Sequence, residues 1–306
     1  FKALEDYEDG NGNGHNTAVG SKSQLNASTG EFNTSLGSLS MGVGVVTGDN
    51  NVAIGISAGE DLTSGATNVL VGASAGKEMT TSGGNVAVGY QSLFTEDTHG
   101  TNTALGYRSL KVLNAGAYAY NTVVGYDAGL AMTTAVRNVL IGAISGDAVT
   151  SGSDNVSLGY AALTSNTIGN SNVAIGKDSM AVNVAADRNV AIGLGSLQNM
   201  TSATTADTYN TAIGYNAGKE VTSGVNNTLI GAKAGDALQD DSNNTAVGGD
   251  CMTSLQTDNC TAVGYGSMFA ATTSARTTAV GGGAFGNGVL TGNDNTAHGY
   301  RAGYET

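Results

Sequence analysis

The chain has 306 residues, 47 of them Gly, with no Pro, no Trp and 5 Phe; only 12% are charged, for a net charge of −13. A chain this acidic is a poor ligand for nucleic acid or an anionic membrane, and no run approaches the roughly 18 apolar residues of a spanning helix. Abundant Gly without a G-X-Y period excludes collagen, and the shortage of large apolar side chains excludes a thick globular core.

In chain order, residues 1–15 come first, with Glu5, Asp6, Glu8 and Asp9 forming a solvated acidic lead-in. No Met or signal peptide opens the chain and it closes a few residues into a repeat, so a segment of a longer polypeptide is expected. From Asn16 onward one motif recurs: Asn, Thr or Val, a small residue, an aliphatic residue, Gly. Its seventeen copies begin at Asn16, Asn33, Asn51, Asn68, Asn85, Asn102, Asn121, Asn138, Asn155, Asn172, Asn189, Asn210, Asn227, Asn244, Cys260, Thr277 and Asn295. Most spacings are 17 residues; the repeats starting at Asn102 and Asn189 are 19 and 21 long. A fixed short period over the whole chain predicts a repeat architecture, with residues 16–306 as one domain.

Each motif position obeys its own rule. The second residue is β-branched in all seventeen copies, the fifth is always Gly, and the fourth is Val, Ile or Leu everywhere except at His298. Such alternation has the period of a strand. Between motifs lie turn-formers such as DLTSGAT (61–67) and MTTSGG (79–84), too short for a helical crossover. The expected fold is therefore all-β: a parallel β-solenoid or β-roll of about 17 coils with a 17-residue repeat, strands stacked about 4.8 Å apart into a rod. Lack of Pro suits a ladder that uses every backbone N–H. Stacked asparagines (Asn51, Asn68, Asn85, Asn102, Asn121, Asn138, Asn155, Asn172 and Asn189 among them) are predicted to bond their equivalents above and below. The long repeats should bulge outward at AGAYAY (115–120) and TSATTADTY (201–209).

Two patterns concern packing. Where the third motif residue is Leu (Leu70, Leu140, Leu229), the residue after the Gly is Ala (Ala73, Ala143, Ala232); where it is small, that site is often Tyr, as at Tyr90, Tyr107 and Tyr265. This reads as large and small side chains trading places in a shared interior. Both strand faces are also apolar or small, whereas a thin coil has room for one face inside. The other face then calls for a second surface, which a partner copy of the chain would supply.

The NTAVGY…TSG-x-N repeat resembles the repeats of bacteriophage tail-fibre proteins, and NVAIG at 51, 172 and 189 is similar to the head repeats of trimeric autotransporter adhesins. The resemblance runs over residues 16–303. It implies a homotrimeric fibre at an extracellular or virion surface that meets host glycans or other fibre and baseplate subunits. The adhesin repeat is shorter, so the coil here is wider or carries an extra loop.

No catalytic constellation emerges, and an enzyme is not expected. His15, His99 and His298 share no metal-ligand spacing, and the first two should be exposed. His298 replaces what reads as a core aliphatic; on a symmetric fibre it could meet its copies at an axis and bind an ion, or be a satisfied His of the last coil. Cys251 and Cys260 occupy different repeat positions and are expected as free thiols. The Asp-bearing stretches QDDSN (239–243) and TGNDN (291–295) read as solvated loops, and no cofactor is implied. The leading expectation is a structural fibre shaft that presents a receptor-binding tip. The alternatives are a glycan-binding surface with contacts at Tyr118, Tyr120 and Tyr209, a self-assembling extracellular filament subunit, an ice-binding Thr array and a polysaccharide depolymerase.

Overall fold

The computed structural model describes residues 3–4, 14–201, 206–287, 290 and 292–304; the acidic lead-in Glu5 to Asp9 lies outside them. Among the described residues there is no helix, and the chain folds as two compact units, residues 1–153 and 154–306.

The first unit stacks eight strands: β1 (Thr17–Val19), β2 (Thr34–Leu36), β3 (Val52–Ile54), β4 (Val69–Val71), β5 (Val86–Val88), β6 (Thr103–Leu105), β7 (Thr122–Val124) and β8 (Val139–Ile141). Each is parallel to the next, with equivalent motif positions opposite one another, as in Val86 against Thr103. The second unit repeats this with β9 (Val156–Leu158), β10 (Val173–Ile175), β12 (Val190–Ile192), β14 (Thr211–Ile213), β15 (Thr228–Ile230), β16 (Thr245–Val247), β17 (Thr261–Val263), β18 (Thr278–Val280) and β19 (Thr296–His298). A short second ladder joins β11 (Ala186–Asp187) to β13 (Ala206–Asp207) at an offset of 20 residues, and the full 21-residue offset is reached by the next strand, where Val190 pairs with Thr211. This is a parallel β-solenoid with a 17-residue repeat.

The corners explain how three-residue strands make a closed coil. In the coil starting at Asn85, four residues have positive φ: Gly89 (137°), Gln91 (50°), Leu93 (49°) and Thr101 (69°). Outside Gly this conformation costs roughly 1–2 kcal/mol per residue. Their N–H groups are tied to neighbouring coils: Gly89 to Val71 O (2.7 Å), Gln91 to Ala73 O (3.0 Å), Leu93 to Ser109 O (2.9 Å) and Thr101 to Gly83 O (3.2 Å). The strand-ending Gly has a second reason to be invariant. A Cβ on Gly72 would lie 2.5 Å from the carbonyl oxygen of Gly89 in the next coil.

The strand centre points inward. Ala53, Leu70, Ala87, Ala104, Val123 and Leu140 are fully buried, and the interior is completed by corner residues such as Leu93, Leu110, Leu62, Met79, Leu113 and Met132. The second and fourth motif residues face outward; Val19, Leu36 and Leu105 are about half exposed. The fourth position is thus not core, and His298 takes the place of an outward aliphatic and is itself exposed. The core aliphatic reading fails because the closed coil is thin: Ala or Ser at the strand centre leaves room only for the Leu or Met reaching across from the corner.

The packing trade also differs from expectation. The tyrosines after the Gly stand outside the coil (Tyr90, Tyr107, Tyr126, Tyr160, Tyr215, Tyr265 and Tyr300 are all exposed), so they do not share space with the strand-centre Leu. The Leu is accommodated by two glycines instead. A Cβ on Gly59 would meet Leu70 Cδ1 at 2.8 Å, and one on Gly76 would meet Leu70 Cδ2 at 2.8 Å. Leu140 has Gly129 and Gly146 in the same relation, and Leu229 has Gly218 and Gly235. Elsewhere the strand centre is mostly Ala or Ser and the corner carries Leu or Met, as at Ala87 with Leu93 and Ala246 with Met252. Interior volume is conserved by exchanging Leu between two sites that face each other.

Candidate functional site

The most regular polar feature is a buried spine of asparagines. In the first unit the N–H of Asn33 donates to Oδ1 of Asn16 (2.7 Å), Asn51 to Asn33 (2.8 Å), Asn68 to Asn51 (3.0 Å) and Asn85 to Asn68 (3.0 Å). Asn102, Asn121 and Asn138 continue it. In the second unit Asn172 donates to Asn155 (3.0 Å), Asn189 to Asn172 (3.0 Å), and Asn210, Asn227 and Asn244 follow. The Nδ2 groups reach a carbonyl 14 residues on in the same coil: Asn51 to Gly65 O (2.9 Å), Asn68 to Ser82 O (2.9 Å), Asn155 to Gly169 O (2.9 Å). Most of these asparagines therefore close their own coil and cap the next, whereas the amides of Asn85, Asn102 and Asn189 turn back to Ser82 Oγ, Gly100 O and Asp187 O; the role needs an amide donor combined with an acceptor.

The exceptions show what the position demands. Cys260 keeps the N–H bond to Asn244 Oδ1 (2.9 Å), and its Sγ donates to Ser274 O (3.0 Å), 14 residues on, in place of the amide. In the 21-residue repeat, Thr208 Oγ1 donates to Asn189 Oδ1 (2.7 Å) and fills the role left by the altered loop.

Cys251 and Cys260 are free and buried. Burial pushes the Cys251 thiol up to about 12 and raises that of Cys260. Neither is a poised nucleophile.

His15 is exposed and stacks on Phe32, with centroids 5.2 Å apart. His99 is half-buried instead of exposed, edge-on to Tyr118 at 6.1 Å. No group of three His, Cys, Asp or Glu that could hold a metal exists among the described residues, and His298 has no such neighbours. Tyr118 and Tyr120 lie side by side and exposed in the first unit, centroids 6.3 Å apart. Tyr209 is in the second unit, where its hydroxyl donates to Asp207 Oδ2 (2.9 Å) and Arg188 lies over its ring. Within neither unit do these three tyrosines form one site. Of the stretches read as solvated loops, Asp241 is mostly buried; its carbonyl closes the Asn227 coil (2.8 Å) and burial raises its carboxyl pKa. Asp294 is exposed, and the Arg276 guanidinium bonded to it holds its carboxyl below the usual range.

Two features emerge only when the coils are stacked. Glu96 is fully buried, with both carboxyl oxygens lacking a hydrogen-bond partner. Eleven residues past the motif Asn, it occupies the interior row of Leu62, Met79, Leu113 and Met132. Burial pushes its pKa up to about 7; the amides of Ala115 and His99, which face it without closing a hydrogen bond, oppose the shift, and Asp97 adds slightly to it. The other feature is the outward Tyr row, in which Tyr90, Tyr107 and Tyr126 stack face to face at 5.2 and 5.1 Å.

No family model, curated protein or solved structure matches the chain. Among the described residues no helix is long and apolar enough to cross a membrane.

Proposed function

We propose that the chain is a structural shaft segment of an extracellular fibre, of the bacteriophage tail-fibre or adhesin kind, which assembles as a homotrimer and holds a receptor-binding element away from its base. The observation that carries this reading is the outward strand face. In each unit it presents rows of Thr or Val and of Val, Ile or Leu to solvent, where a monomer's solvated strand would alternate with charge. Copies of the same chain supply identical rows in identical register, so a symmetric assembly covers the face without new chemistry. Most coils are already closed by their own asparagines, which leaves them free to act as repeated structural units.

Sedimentation equilibrium and negative-stain electron microscopy test the proposal. The expected result is a three-chain particle, elongated, with three-fold density. A monodisperse monomer at micromolar concentration refutes it. Charge placed on the face by Val86→Lys and Leu105→Lys should dissociate the trimer while leaving the β-sheet circular dichroism unchanged.

A further inference from the structure

The last coils of the second unit contain a groove that the shaft reading does not use. Its volume is about 440 Å³, inside the usual range for a small-ligand site. Its floor is glycine (Gly266, Gly282, Gly283 and Gly286), and its walls are the rings of Tyr265, Phe269, Tyr300 and Tyr304. Asp250, Asn287 and Arg301 supply the polar groups.

The groove follows from a break in the Tyr row. In three consecutive coils of the first unit the row is filled, and Tyr90, Tyr107 and Tyr126 cover one another's faces, leaving 45%, 41% and 53% exposed. In the last four coils of the second unit the equivalent positions read Gly249, Tyr265, Gly282, Tyr300. Each Tyr has a glycine where a stacking partner would stand: a Cβ on Gly249 would meet the Tyr265 ring at 3.4 Å, and one on Gly282 the Tyr300 ring at 3.5 Å. Tyr265, with a glycine on each side of it in the row, is consequently 70% exposed. Arg301 is held over Tyr300 and Tyr304 at 5.3 and 4.8 Å to their centroids.

We propose that this groove binds a neutral pyranose oligosaccharide. Open aromatic faces suit the apolar C–H faces of pyranose rings. A carboxylate, an amide and a guanidinium match hydroxyls that both donate and accept. A hexopyranose unit in an extended chain is about as long as the spacing of parallel strands, roughly 4.8 Å, so successive sugars keep step with successive coils. The net charge of −13 and the carboxylate of Asp250 oppose a polyanion, which selects neutral sugars over uronates or nucleic acid.

The test is titration calorimetry of the full chain with cellohexaose, maltohexaose and chitohexaose, with hexagalacturonate as the anionic probe. At least one neutral hexamer should bind in the micromolar to millimolar range. Tyr265→Ala and Tyr300→Ala should each weaken it by about tenfold. Gly282→Tyr, at a position without positive φ, should fill the gap and abolish binding. Tyr107→Ala, in the closed part of the row, should change nothing. Three of the four variants alter exposed positions and the fourth, Gly282, is half-buried, so unchanged thermal unfolding is required to show that each is folded. No binding of any neutral hexamer at about 10 mM, binding indifferent to both Tyr replacements, or binding of hexagalacturonate alone overturns the proposal.

Discussion

Replacing Glu96 with Leu should stabilise the first unit, by an amount that depends on pH. The site is built for a hydrocarbon: the equivalent residues in the coils on either side are Met79 and Leu113, and the Glu96 carboxyl has no bonded partner. Its pKa rises from an ordinary 4.5 to about 7, with burial the main cause. The folded state therefore holds this proton more tightly than the unfolded chain. Stability falls as pH rises from about 4.5 to about 7 and stays at its lower value above that. The difference between the two pKa values corresponds to a loss of at most about 3 kcal/mol by pH 8. Leu abolishes that loss and adds about 1–2 kcal/mol of apolar burial at every pH. The assay is urea unfolding at about pH 4 and pH 8, with amide exchange of residues 85–101 to isolate the local coil, because stacked repeats need not unfold as one transition. Other carboxylates titrate in both proteins and cancel in the comparison. The advantage of Glu96→Leu over wild type should be larger at the higher pH, by up to about 3 kcal/mol. Glu96→Gln should remove the pH dependence without the apolar gain. An equal advantage at both pH values would refute the assignment of Glu96 as a buried, proton-holding acid.

The interior exchange is tested at Gly218, whose φ is 58° and where a Cβ would lie 2.6 Å from Leu229 Cδ1 and 3.0 Å from Leu197 Cδ2. Gly218→Ala should cost about 2–3 kcal/mol in urea unfolding of the second unit, and adding Leu229→Ala should show a favourable coupling of about 1 kcal/mol in a double-mutant cycle. Asn85→Ala removes the acceptor for the Asn102 N–H (3.0 Å) and the donor to Ser82 Oγ (2.8 Å). It should cost about 2–3 kcal/mol, with exchange protection lost first at Asn102.

The period, the parallel stacking and the Asn rows can be read from the sequence because each is imposed once per coil and cannot be compensated locally. The strand Gly illustrates this: its positive φ and its contact with the Gly of the next coil leave no alternative residue. Which strand face points inward is harder to read, because hydrophobicity favours the Val and Ile positions while the geometry of a thin coil favours Ala. The decisive signal is present at Leu70, Leu140 and Leu229, each accompanied by glycines at Gly59 and Gly76, Gly129 and Gly146, or Gly218 and Gly235. Only interior positions need such relief. Positive φ at Leu93 and Met252 has no local signal, since neither is a residue type that favours it; the bonds to the adjacent coils hold it in place. Glu96 lies in the polar run TEDTHG and reads as a loop residue until it is aligned with Leu62 and Met79.

That alignment principle extends to the surface. The position after the strand Gly varies through Ser, Ile, Ala, Tyr, Lys, Leu and Gly, because its side chain faces mainly its equivalents one coil away. Partners are therefore found in the next repeat: Arg108 and Asp127 share one row, Lys77 and Glu60 another at 3.6 Å, Arg276 and Asp294 a third. The Arg276–Asp294 pair is exposed on both sides and adds little stability, whereas Asp127 and Glu60 are largely buried in theirs. Their placement matters more than their energy, since a solenoid surface is composed row by row while the interior is composed coil by coil. A change from Tyr to Gly in one outward row leaves the Asn spine, the strand Gly and the Leu–Gly exchange untouched. The same substitution uncovers two aromatic faces, turning an inert stack like Tyr90–Tyr107–Tyr126 into a recess like the one between Tyr265 and Tyr300. A binding surface can thus arise on such a scaffold by deleting side chains at fixed register, without cost to the coils that support it.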